Sequence, residues 1–319
     1  MKAITELTDY YYEALSPTIE KLEKERVKLK NNIILVVSFL TIISLTALFF
    51  ASSASTSSDV PLFIIFGYHG AVFISYYYMI KDYRAKFKDK IIKPLINAID
   101  ESLTYSSSSH IPQETFNNSK IFSYIENIDG NDLVEGEIDK TKFMFSDIKA
   151  KKRYKTSNGT NKTKTIFRGL FIVAEFNKNF TGRTVVLPDF AEKGFGKLIG
   201  GWLQSKNADR DELIKMDNDA FEKEFVIYSS DQIEARYILS HSLMEKILTF
   251  KEKSKYPLYL SFIENKIYIG INYKKDLFEP TVFRSLLKSK VAMEYIETLH
   301  LAIGVVEELK LNKKLWSVE

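Results

Sequence analysis

Two long apolar runs stand near the start of an otherwise mixed chain. Asn32 to Ala51 reads NIILVVSFLTIISLTALFFA and Val60 to Ile80 reads VPLFIIFGYHGAVFISYYYMI, neither with an Asp, Glu, Lys or Arg. As helices rising about 1.5 Å per residue, each spans about 30 Å, the hydrocarbon thickness of a bilayer. The short polar SSASTSSD between them predicts a hairpin of two transmembrane helices, 32–51 and 60–80. The first run begins too late, is too long, and is followed too closely by a second run to be a cleaved signal sequence.

Helical spacing continues outside both runs. Leu15, Ile19, Leu22 and Leu29 precede the first, and Tyr83, Phe87, Ile91, Leu95 and Ile99 follow the second. These stripes predict two packed cytoplasmic helices, with a kink or restart at Pro94. The Ser-rich run from Ser102 to about Asn118 reads as a linker.

Beyond it the period shortens to that of strands. Leu133–Ile138 and Phe143–Ile148 predict a pair across Asp139. A longer hairpin, Phe145–Tyr154 with Thr165–Phe176, turns at Asn158-Gly159. Thr184–Leu187 and Phe225–Tyr228 are further strands, and Leu258–Ile263 with Lys266–Tyr273 is a late hairpin. Helices are expected over Asp231–Lys251, Phe283–Leu287 and Glu294–Leu311. The reading is α+β: an N-terminal two-helix transmembrane hairpin, then a cytoplasmic domain with a mainly antiparallel sheet and flanking helices. Its segments are a cytoplasmic amphipathic helix 1–31, the hairpin 32–80, a juxtamembrane helix and linker 81–118, and the α+β domain 119–319.

Charge sets the orientation. Five Lys or Arg lie in 21–30 and six in 81–93, against none in the connecting loop. The positive-inside rule places both termini in the cytoplasm, in a plasma or inner membrane. Over 319 residues the net charge is only +4 and evenly mixed, which argues against nucleic-acid binding. With no cysteine, disulfides, thiolate catalysis and cysteine-ligated metals are excluded.

Candidate chemistry is sparse. The four histidines are scattered, no HExxH, GxSxG or Walker motif occurs, and no cofactor is expected. His69 is the one His inside the runs, which hold no Asp, Glu, Lys or Arg, and Gly67 and Gly70 beside it are suited to close helix packing. Ser38, Ser44, Thr46 and Ser75 offer further contacts, within the hairpin or in a homo-oligomer. EKGFGKLIGGW at 192–202 only superficially resembles a phosphate loop. The acids Asp209, Asp211, Glu212, Asp217, Asp219, Glu222 and Glu224 lack calcium-loop spacing and read as a solvated face.

Cations cluster around the long hairpin: Lys149, Lys151, Lys152, Arg153, Lys155, Lys162, Lys164 and Arg168. In a domain tethered to a membrane this cluster is suited to anionic lipid. Asp231, Glu234 and Arg236 read first as a helix cap with its neighbours. Asp231, Arg236 and Glu279 are the polar set on which an enzymatic alternative, acting on a membrane-associated substrate, would depend.

The blocks FRGLFIVAEFNKNFTGRTVVLPDFAEK, FEKEFVIYSSDQIEARYILSHSLMEKIL and YIGINYKKDLFEP resemble a bacterial membrane-protein family known as domain of unknown function 3137. The likeness rests on Phe167, Gly169, Leu170, Phe171, Phe176, Asn177, Leu187, Pro188, Tyr228, Ser229, Asp231, Ala235, Arg236, Phe278 and Glu279. It implies a bacterial membrane protein with a cytoplasmic C-terminal domain, and the encoding of family members beside LemA-type membrane proteins hints at such a partner. It supplies no catalytic residue. The expected function is therefore a membrane-anchored module binding a protein partner or anionic lipid headgroups.

Overall fold

The computed structural model describes residues 2–53, 59–138, 140–155, 159–176, 179–189, 212–309 and 311. The turn at Asp139, the hairpin tip at Asn158, the glycine-rich 192–202 and the acids Asp209 and Asp211 lie outside them. The chain forms two compact units, one of residues 2–98 with 278–296, the other of 99–277 with the end of the chain.

The helical unit begins with α1 (Ile4–Tyr12) and α2 (Ser16–Ser53). The expected single helix over 1–31 is thus two, and Pro17, tolerated only in a first turn, fixes where the second starts. α3 (Val60–Phe87) returns, passes through one π-helical turn (Lys88–Ile92) and continues as α4 (Lys93–Ile99). Pro94 lacks an N–H, and the widened turn just before it carries the helix past that gap without a break. The predicted stripes are buried, Leu15, Ile19 and Leu22 on one side and Tyr83, Phe87, Ile91 and Leu95 on the other, save that Leu29 is only half-buried. Lys86 and Glu25 pair at 2.9 Å between α2 and α3.

Both apolar helices are long enough to cross a membrane. Their outer faces bare large side chains, with Phe63 73% and Leu35 68% exposed, a contiguous apolar surface unsuited to water. Thr41 and Tyr68 hydroxyls meet across the hairpin at 3.0 Å. His69 instead approaches the carbonyl of Ile65 on its own helix at 2.8 Å. A side chain at Gly67 or Gly70 would meet nothing within 4 Å. Of the two packing partners expected for these glycines, the facing helix is thereby corrected, while a neighbouring molecule is left open.

In the other unit, β1 (Thr104–Ser106) and α5 (Gln113–Asn118) occupy the run expected to be a linker. Then come β2 (Asn127–Ile138), β3 (Thr141–Lys155), β4 (Asn161–Glu175), β5 (Arg183–Pro188), β6 (Glu212–Ile214), α6 (Asp219–Glu224) and β7 (Phe225–Ser229). α7 (Gln232–Ile238), α8 (His241–Ser254), β8 (Leu258–Ile263), β9 (Lys266–Ile271) and α9 (Ser289–Glu308) complete the order. The expected helix over 231–251 breaks at Leu239, and Ser240 caps the second half by accepting from the Leu243 N–H.

Among the described residues the strands form one antiparallel sheet, ordered β1-β2-β3-β4-β9-β8-β5-β7-β6. One face carries a core of Ile111, Phe116, Phe122, Ile148, Phe167 and Phe171, where the former linker folds down as cover. The opposite face, with Phe145, Ile172, Ile269 and Leu260, is equally buried. α8 and the end of α9, tied by Lys253 and Glu308 at 2.7 Å, supply apolar stripes of the kind such a face requires. Gly169 sits at φ +152, and a Cβ there would lie 2.2 Å from the Ile271 carbonyl, so the close approach of β4 to the end of β9 demands glycine.

Candidate functional site

β3 and β4 outrun their neighbours. β2 pairs with β3 only as far as Asn127 opposite Lys151, and β9 pairs with β4 only from Leu170 onward. From Lys152 outward the two strands pair with each other alone: Lys152 with Lys164, Arg153 with Thr163, Tyr154 with Lys162 and Lys155 with Asn161. The result is a two-stranded arm. Strand alternation puts Lys152, Tyr154, Lys162 and Lys164 on one face, and Lys151, Arg153 and Lys155 on the other. Lysines directly opposite one another repel, so this pattern is a cost to the fold rather than a support for it.

The cations at the base of the arm are held by partners. Lys151 pairs with Asp129 at 2.6 Å, Lys152 donates to the Ser123 hydroxyl at 2.8 Å, and Arg168 pairs with Asp276 at 2.5 Å. Further out, Arg153, Lys155 and Lys162 are exposed, and no Asp or Glu occurs between Lys152 and Thr165. The structure thus brings the predicted cations together and divides them into held and outward groups.

The other predicted set does not act as one. Asp231 caps α7, accepting from the N–H groups of Ile233 at 2.8 Å and Glu234 at 3.0 Å. Arg236 donates to the Lys215 carbonyl at 3.3 Å. Glu279, in the helical unit, pairs with Lys88 at 2.6 Å and Arg84 at 3.1 Å. The acids around α6 are likewise engaged: Glu222 accepts from the Met216 N–H at 2.6 Å, and Glu224 pairs with Lys251. Among the described residues no three His, Asp or Glu side chains gather as a metal site.

Sequence reading missed a buried acid. Asp147 shares one buried face of β3 with Phe143 and Phe145 and is 4% exposed. Its carboxyl accepts from the Leu277 N–H at 2.6 Å. Burial pushes its pKa up to about 8, helped by Asp276 and Asp132, while the Leu277 N–H and Arg168 pull it down. The signal lay in the parity of FMFSD: 143, 145 and 147 share a side. At the other end of these strands from the arm, a cleft of about 620 Å³ is lined by Thr104, Glu135, Lys142, Met144, Val173 and Lys266 among others. Glu137 lies opposite Lys142 across β2 and β3, and Glu175 opposite Lys266 across β4 and β9. Their charges cancel pair by pair.

No curated protein matches the chain. Among solved structures, the crystal structure of the mycobacterial trehalose monomycolate transport factor A, TtfA, is similar at 10% identity and a TM-score of 0.34, covering 64% of this chain and 89% of that one. A score that low carries no argument. Residues 165–311 match the model of a family described as a protein of unknown function (DUF3137). The match starts inside β4, so the apolar helices and β1 to β3 lie outside it. Over residues 165–311 the chain is therefore similar to the DUF3137 family, as the blocks read from the sequence imply.

Proposed function

We propose that the protein is anchored by its helical hairpin in a plasma or inner membrane, with both termini and the sheet on the cytoplasmic side, and that the β3–β4 arm binds anionic lipid headgroups. The observation that carries this reading is the arm itself. It leaves the sheet with cations on both faces and no acid between Lys152 and Thr165. Each Lys or Arg near an anionic leaflet contributes about 1 kcal/mol. Arg153, Lys155 and Lys162 together then give about 3 kcal/mol, roughly a hundredfold in occupancy. A domain already tethered to the bilayer meets that surface at high effective concentration, so a modest affinity suffices. An acidic protein segment is the competing ligand for the same arm. The enzymatic reading is not favoured, because Asp231, Arg236 and Glu279 are each engaged in a structural contact.

The full chain is the proper test object, since a fragment starting near residue 102 would strip segment 278–296 of the helices it packs with. A dye on Y154C should shift its emission in nanodiscs containing anionic lipid and not in neutral ones. The shift should vanish at high salt and in the triple variant R153Q/K155Q/K162Q. A label silent in both lipids would overturn the lipid reading and favour the acidic protein segment.

A further inference from the structure

The segment Phe278–Lys288 was expected to contain a helix over Phe283–Leu287, and the structure corrects this: it is a strap of turns. The reason lies in α2. In a helix the Leu286 N–H would bond the Val282 carbonyl. Here the Arg26 guanidinium donates to the Val282 carbonyl, and the Leu286 N–H donates to the Glu23 carboxylate at 3.1 Å. Arg26 and Glu23 also hold each other at 2.8 Å. Side chains of α2 have taken both partners of the helical bond. Val282 and Leu286 are turned in and buried, whereas Phe283 is 60% and Leu287 55% exposed.

The strap's depth is readable from two helices. Along α2, Arg26 precedes the apolar run at Asn32 by six residues, about 9 Å. Along α3, Glu279 is held by Arg84 and Lys88, which follow the last apolar residue, Ile80, by about 6 and 12 Å. Both rulers place the strap's anchor points near the outer edge of the headgroup layer, which is about 5–8 Å deep on each side, within reach of it for side chains as long as Phe and Leu. Lys24 and Lys28, about 12 and 6 Å below the apolar run, border an open hollow on α2.

We infer that the strap is a second lipid contact, in which Phe283 and Leu287 enter the inner headgroup region beside the hairpin. This rests on the hairpin spanning the bilayer, but not on the basic arm. Such burial of exposed apolar side chains at the interface is how amphipathic segments hold a membrane surface. It would fix the base of the hairpin against the leaflet through a segment drawn from far along the chain.

The chain's lack of cysteine permits single-site dyes at F283C, L287C and, in the span, F63C. The full chain is placed in neutral phosphatidylcholine nanodiscs carrying nitroxide either in the headgroup region or deep in the acyl chains. The dye at 63 should be quenched by the deep nitroxide. Those at 283 and 287 should lose about half their emission to the shallow one. Quenching at 63 without quenching at 283 or 287 overturns the strap contact alone. Emission at 283 that is shielded from water yet unquenched means a protein cover, and overturns it too. No quenching at 63 overturns the membrane-spanning hairpin, and the strap contact with it.

Discussion

At the scale of single residues, the buried carboxyl of Asp147 gives the sharpest consequence. An unfolded aspartate titrates at about 4, whereas Asp147 in the folded chain is pushed up to about 8, mainly by burial. The folded value lies above the unfolded one. The stabilisation this acid provides is therefore complete below pH about 4, declines as the pH rises, and is lost by about 8. The decline is at most about 1.4 kcal/mol per pH unit. Asn at this position keeps an oxygen for the Leu277 N–H and never has to ionise. D147N should thus melt well above the native chain at pH 8 and close to it at pH 4, in scans of the detergent-solubilised protein. A constant gap across that range would show that Asp147 does not titrate as its surroundings dictate. Asp147 was legible in principle, because 143, 145 and 147 share one face; Gly169 was legible only as part of a matching block. Its need for glycine comes from the Ile271 carbonyl, a hundred residues away in sequence and 2.2 Å from where a Cβ would sit.

At the scale of elements, α7 separates a structural from a chemical role for Asp231. Its carboxylate meets two backbone N–H groups of the first turn, a cap that Asn provides as well as Asp does and Ala does not. D231A should lose about 1 kcal/mol in denaturant unfolding, while D231N should stay within a few tenths of the native chain. A D231N variant as damaged as D231A would mean that the negative charge has a task beyond the cap. Local pattern was a good guide wherever an element's bonds are its own. The hairpins β2–β3, β3–β4 and β8–β9 stand where alternation and turn residues put them. It failed where a distant side chain intervenes. The apolar spacing of 282, 283, 286 and 287 is that of a helix, but Glu23 and Arg26 hold the backbone groups that such a helix would use. It failed too at Thr104–Ser106, a three-residue strand whose partners Leu133 to Glu135 alone make it one.

At the scale of the whole molecule, sequence order and compactness part company. Residues 278–296 belong with the N-terminal helices, and the sheet unit begins at Ile99. A reading along the chain saw the hairpin, its flanking charges and the sheet, because each is a local pattern of composition. It had no means of seeing that the strap returns to α2, since that depends on two side chains some 250 positions earlier in the chain. The basic arm was visible as a cluster of charge. Its projection beyond the sheet became visible only when the strand lengths and registers were known.

The central claim is that the chain crosses the bilayer twice and keeps the basic arm on the side of its charged flanks. Single cysteines at Ser55, between the two apolar runs, and at Ser157, between the strands of the arm, test it in intact cells with a membrane-impermeant maleimide. The account predicts labelling at 55 and none at 157 until the cells are opened. Labelling at 157 with protection at 55 would contradict it, reversing the orientation and removing the cytoplasmic leaflet as the arm's ligand.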